Sequence, residues 1–241
     1  MKKSLPFVMP LFRSILFILA AVLLMGVTRQ SADALSRWWS IICTLCNGIT
    51  ILVMLVVCKA EKTTYKELIG YSKGQLGLKS TLLIVFIMLV LGMGGMYGFG
   101  FLIYGYMPVT MVQPIPVWMA AINTVLLPLS VVFAEMPLYF GYALPRIEEA
   151  TGSKYLAVAY PMFFYALQHS FMPVLWDWRH ILFRFLSFIP LMLVLGIWYY
   201  RKRRLAPLMI GHAVLDIATG VQILMVSVSP AIYEMMRVAQ K

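Results

Sequence analysis

Apolar residues in this chain run in long blocks separated by short clusters of charge, and the block lengths predict the elements. Leu5 to Val27 is broken only by Arg13, whose long stem is expected to snorkel to the interface. Trp38 to Cys58 is a second block, with Trp38 and Trp39 placed to sit in an interfacial belt. Between Lys79 and Glu135 the sequence holds no Asp, Glu, Lys or Arg, about twice the ~20 residues that one span requires. Pro108, Pro114 and Pro116 interrupt this stretch and divide it into spans at Leu82–Tyr104 and Val117–Tyr142. Gly141 is expected to end the core of the latter, with Pro145, Arg146, Glu148 and Glu149 marking a solvated exit. Further spans follow at Tyr155–Leu175, Ile181–Tyr200 and Leu205–Val228, seven in all.

Two local patterns have alternative readings. Ala32-Asp33-Ala34 resembles a signal cleavage site, but the further apolar blocks favour an uncleaved first helix. The glycines between Gly92 and Gly100 lack the Lys-Ser/Thr of a phosphate loop. Gly94 and Gly98, at i and i+4, predict a small-residue surface for close helix packing.

Composition fixes the class. With 62% hydrophobic residues, 12% charged residues and a mean hydropathy of +0.87, the chain is expected to be an all-α polytopic helix bundle, a single membrane domain over residues 1–241. The net charge of +11 changes the picture little, because the basic residues lie in short clusters between the spans. Such clusters read as topology and not as a nucleic-acid surface. Lys2 and Lys3, the lysines of Lys59–Lys79, Arg146 with Lys154, and the tetrad Arg201–Arg204 all fall on one set of alternate connections. That bias places the amino terminus in the cytoplasm. The Lys59–Ser80 connector is expected to lie, partly amphipathic, on anionic lipid. Cys43, Cys46 and Cys58 share one apolar block and read as packing residues.

Within the spans the ionisable side chains are few: Glu135, His169, Arg184, His212 and Asp216, with His180 at a loop edge. Such groups are costly in a bilayer and are usually kept for function. One carboxylate and two imidazoles around a common cavity are the parts needed to activate water and steady a developing oxyanion. His212 and Asp216 stand at i and i+4, so the carboxylate can orient the ring.

The stretch Glu135 to Gly141, then Tyr165-Ala-Leu-Gln-His169, then His212-Ala-Val-Leu-Asp216, resembles the CAAX-prenyl-endopeptidase and bacteriocin-processing (CPBP, abortive-infection) intramembrane proteases. That family is marked by Glu-Glu-x-x-x-Arg, Phe-x-x-x-His and His-x-x-x-Asn/Asp on successive helices. The resemblance covers about residues 117–228. Here Met136 replaces the second Glu, Phe140 the Arg and Tyr165 the Phe.

The resemblance implies an endopeptidase in a bacterial cell membrane acting on a membrane-associated peptide or protein, with Glu135 as general base, His169 holding the water, and His212, oriented by Asp216, donating to the oxyanion. It implies no cofactor. A zinc site of Glu135, His169 and His212 is the chemical alternative. Two other functions stay open: a catalytically lapsed scaffold or bacteriocin-immunity protein, and a transporter or channel.

Overall fold

The structure, a computed structural model, describes residues 4–71 and 76–240, and these are almost entirely helical. The helices are α1 (Leu5–Thr28), α2 (Ala32–Ser36), α3 (Trp39–Ala60), α4 (Tyr65–Ile69), α5 (Leu78–Tyr104) and α6 (Val117–Met136). After the π-helix Pro137–Ala143 come α7 (Leu144–Thr151), α8 (Lys154–His169), α9 (Trp178–Lys202), α10 (Ala206–Val228) and α11 (Pro230–Val238). Among the described residues six helices are long and apolar enough to cross a membrane, counting Val117–Thr151 as one. The fifth expected span, Tyr155–Leu175, is realised as the 16-residue α8, which ends at His169. Pro173 restricts the residue before it to extended backbone, and the chain turns there instead of continuing the helix.

The expected end of the span's core at Gly141 is corrected: Gly141 stands between buried neighbours in a π-turn, where the helix widens, and the helix runs on as 35 residues from Val117 to Thr151. Proline explains where it widens. Pro137 has no N–H for the carbonyl of Phe133, and that carbonyl instead accepts the hydroxyl of Tyr65 from α4. Gly141 then serves a different purpose. A Cβ there would stand 2.2 Å from the carbonyl oxygen of Leu68, so only glycine lets α4 lie across the π-turn. The α4 end of the connector is thus docked on the bundle, its start fixed by a capping box of Thr64 and Glu67. Hydrogen bonds from Thr63 and from the Thr64 backbone lower the pKa of Glu67. Part of that connector, residues 72–75, lies outside the described residues.

The close approaches of the bundle are made by other glycines than Gly94 and Gly98, both of which have open space where a Cβ would be. Gly95 meets α9, where a Cβ would fall 2.2 Å from the Ser187 carbonyl oxygen. Gly211 meets Met88 and Ile84 of α5, and Gly220 meets Thr124 of α6. The helix phase put the contact one residue from the expected pair, because α9 and not a second small-residue stripe supplies the partner.

The bundle has two distinct ends. At one, Arg146 pairs with Glu61 at 2.7 Å, and Arg203 pairs with Glu148. The connector, the end of α7 and the basic tetrad are thereby joined. At the other, Trp39 donates its indole N–H to Met111 O at 3.1 Å, Arg37 donates to Pro114 O, and Ser227 Oγ accepts from Ile115 N.

Candidate active site

Glu135 lies one residue before the end of α6 and is buried, 1% exposed. Its two oxygens have different surroundings. Oε1 accepts a hydrogen bond from Nη2 of Arg13 at 2.7 Å, while Oε2 has no hydrogen-bond partner of good geometry among the described residues and stands 3.6 Å from Nε2 of His212.

Arg13 is where the sequence reading is overturned. It does not snorkel but is wholly buried, and it spends its guanidinium on four acceptors from three helices. Nε donates to Gln168 Oε1 at 2.6 Å, Nη1 to Thr50 Oγ1 at 2.9 Å, and Nη2 to both Asn47 Oδ1 and Glu135. Tyr139 adds a hydrogen bond from its hydroxyl to the same Gln168 oxygen, at 2.9 Å. A planar fork with five donors suits a buried carboxylate surrounded by amide and hydroxyl acceptors, and a lysine could not replace it. A lone Arg in a first hydrophobic span carries no local signal of this role, since its carboxylate partner is 122 residues away.

The family motif places its Arg where this chain has Phe140. Phe140 is buried and packs edge-on against Tyr165 and Tyr199, with ring centroids 5.9 and 5.4 Å apart. Met136 is also buried in this cluster. The cation that meets Glu135 therefore comes from α1 and not from the motif helix.

His169 and His212 present their rings differently. Nδ1 of His169 lies 2.8 Å from the carbonyl oxygen of Tyr165, which can only accept, so this nitrogen carries a proton. Its ring stacks on Phe188 at 3.8 Å. Nδ1 of His212 is 2.8 Å from Asp216 Oδ2, the orienting bond expected from the i, i+4 spacing, which directs Nε2 at Glu135. Glu135, His169, His212 and Asp216 all line one cavity of about 140 Å³. Arg184, 3% exposed, lines it as well, whereas His180 does not.

The cavity extends from Glu135 along Val131 and Leu127 of α6, Gly92 to Tyr97 of α5, and Asp216 to Gln222 of α10. It reaches Trp39, Met107, Met111 and Val112, at the end remote from the basic clusters. Toward the basic end the rings of Tyr139 and Tyr165 stack 4.3 Å apart with Phe140 edge-on to Tyr165, and none of the three lines the cavity.

Among the described residues no three His, Cys, Asp or Glu side chains are grouped closely enough to hold a metal ion. Cys43 also lines the cavity and is a free, buried thiol.

Comparison with known proteins follows the same boundaries. The chain matches no curated protein and no solved structure. Residues 115–218, which include Glu135, both cavity histidines and Asp216, match the family described as Rce1-like, type II CAAX prenyl endopeptidase Rce1-like. The membrane helices and the order of the motifs agree with this match, which makes residues 115–218 similar to the Rce1-like CAAX prenyl endopeptidases.

Proposed function

We propose that the protein is an intramembrane endopeptidase that hydrolyses a membrane-associated peptide or protein with a water activated by Glu135. The observation that carries this reading is the asymmetry of the Glu135 carboxylate. One oxygen is anchored by a guanidinium, and the other has no hydrogen bond of good geometry among the described residues and stands beside Nε2 of His212, on a side chain that lines the cavity. A general base needs such a free, fixed oxygen within hydrogen-bond reach of a water.

In the proposed reaction a water beside Glu135 Oε2 gives its proton to that oxygen as it attacks the scissile carbonyl carbon. His169, with its Nδ1 proton committed to Tyr165 O, keeps Nε2 free to accept a hydrogen bond from the same water. His212, in its doubly protonated form, keeps Nδ1–H on Asp216 and points Nε2–H at the oxyanion. Collapse of the tetrahedral intermediate breaks the C–N bond, and Glu135 returns its proton to the leaving amine. Arg13 stays charged throughout and holds the base in place.

The region 117–228 would carry the chemistry and α1 would complete it. The surrounding partner is the lipid bilayer, and the charge bias supports a cytoplasmic amino terminus.

A second reading rests on Met136 and Phe140: a catalytically lapsed scaffold that keeps the bundle and the cavity. The joint replacement removes both members of an i, i+4 charge pair, which a folded bundle tolerates. Arg13 favours the active reading, because it gives Glu135 a cation despite that loss. The deciding experiment is peptide cleavage by the reconstituted protein against its Glu135→Gln variant, which retains an acceptor for Arg13. Cleavage by the native chain that disappears in the variant supports the protease. A natively folded protein that cleaves no member of a diverse membrane-peptide library supports the scaffold.

A further inference from the structure

The two buried arginines of the bundle are used differently. Arg13 has a carboxylate and three neutral acceptors. Arg184, on α9, has no carboxylate within salt-bridge distance among the described residues. Its contacts are the His169 carbonyl oxygen, 3.3 Å from Nε, the Met96 sulfur, 2.8 Å from Nη1, and the ring of Phe188, 4.9 Å from its guanidinium carbon. A carbonyl, a thioether and an aromatic face are weak company for a permanent charge that is 3% exposed. Among the described residues Nη2 makes no hydrogen bond, and the side chain lines the cavity that holds Glu135 and both histidines.

From this juxtaposition we infer that Arg184 is the substrate-anchoring subsite and binds a carboxylate of the peptide beside the hydrolytic centre. The inference rests on the protease reading and names the chemistry its substrate must bring. A carboxylate is the natural occupant, since a guanidinium recognises it with two parallel hydrogen bonds, and a water-poor cavity strengthens the pairing. Its position follows from the backbone: Arg184 is bonded to the carbonyl of His169 itself, so an anion held there lies next to the ring that holds the attacking water. Much of the remaining lining is apolar and rich in methionine, with Met93, Met96, Met107, Met111 and Met172, beside the polar Thr219 and Gln222, which suits flexible hydrophobic side chains adjoining the carboxylate. The cavity volume of about 140 Å³ accommodates one or two residues, not a long peptide. Two sources fit: the free carboxyl terminus of the substrate, or an Asp or Glu side chain near the scissile bond.

The experiment uses three versions of one hydrophobic peptide: a free acid, a carboxyl-terminal amide, and the amide with one internal Glu. Binding to the full-length Glu135→Gln protein in phosphatidylcholine vesicles is measured alongside cleavage by the native protein. The free acid, or the internal-Glu amide, should bind the Glu135→Gln protein roughly 10- to 100-fold more tightly than the plain amide, the range for a hydrogen bond to a charged group. Which of the two gains identifies the source. Arg184→Gln in the same background should bring that ratio close to one, and Arg184→Lys should keep part of it. Equal binding of all three peptides overturns the inference, as does a preference that survives Arg184→Gln in a protein of native thermal stability. If Arg184→Gln does not fold, the ratio in the parent protein still decides. Loss of the preference when phosphatidylglycerol is added assigns the subsite to a lipid phosphate and also overturns it. Because binding is read separately, selective binding without cleavage refutes the protease reading alone.

Discussion

Arg13 on the first helix and Glu135 at the end of the α6 span are in direct contact, Nη2 to Oε1 at 2.7 Å, and both are shielded from solvent. The contact joins the region 115–218 to a helix outside it. Tyr160 docks the same helix through a hydroxyl bond to the carbonyl of Phe7, and the Tyr139 hydroxyl lies 3.2 Å from the carbonyl oxygen of Pro10.

The pair should behave as a unit. Removing one member leaves a buried charge unpaired, at a cost of about 3–5 kcal/mol, whereas removing both leaves none. Arg13→Met should therefore lower the thermal unfolding temperature in detergent sharply, and Arg13→Met combined with Glu135→Gln should recover much of that loss. Additive losses in this double-mutant cycle would show that the two side chains are not coupled.

Asp216 is a positioning residue in the proposed mechanism, since it meets the substrate only through His212. Asp216→Asn keeps the shape but replaces an acceptor-only group with one that can also donate to Nδ1, disturbing the tautomer. The expected result is a fall in kcat of roughly 10²-fold or more, in the range of lost acid–base function, with KM nearly unchanged. Stability should move by only about 1 kcal/mol, the worth of one hydrogen bond. A rise in KM at constant kcat would assign Asp216 to substrate binding instead.

The fold was legible where hydrophobic length alone decides, and the span boundaries agree to within a few residues at Leu5–Thr28, Trp39–Ala60 and Ala206–Val228. The grouping of Glu135, His169, His212 and Asp216 was legible because the chemistry is written at helical spacing and in order. Arg13 was not, since hydropathy treats every arginine in a first span alike and the partners of this one come from α3, α6 and α8. The direction of the cavity was also hidden. It depends on Tyr139, Phe140 and Tyr165 meeting across helices toward the basic end, which no one-dimensional pattern states.

Neighbouring glycines of α5 give a sharp contrast. Gly95→Ala would drive a Cβ into the Ser187 carbonyl, a backbone atom that cannot rotate away. It should destabilise the bundle by about 1–3 kcal/mol through overpacking. Gly94→Ala and Gly98→Ala meet open space and should be neutral or slightly stabilising through better helix propensity. Unfolding temperatures of the three single variants test this directly, and an equal loss in all three would mean that α5 packs in another phase.

The final prediction concerns which side of the membrane the cavity faces. The ion pairs Arg146–Glu61 and Arg203–Glu148 fix the connector, the α7 end and the tetrad at one end of the bundle. The cavity reaches the opposite end, at Trp39 and Met107–Val112. Lys and Arg near span ends are retained on the cytoplasmic side, so the basic end is expected inside and the mouth of the cavity in the outer half of the bilayer. Single cysteines at Lys62 and Lys202, in a background lacking Cys43, Cys46 and Cys58, should resist a membrane-impermeant maleimide in intact cells and react after permeabilisation. Cysteines at Arg37 and Gln113 should react from outside in intact cells. Labelling of Lys62 and Lys202 from opposite faces would contradict the bundle itself, because their neighbours Glu61 and Arg203 are joined to one helix through Arg146 and Glu148. Outside labelling of both, with Arg37 and Gln113 protected, would keep the bundle and invert it, turning the cavity toward the cytoplasm. The two orientations demand different substrates: an outward mouth receives peptides presented from the outer leaflet, and an inward mouth receives cytoplasmic chains anchored to the inner one.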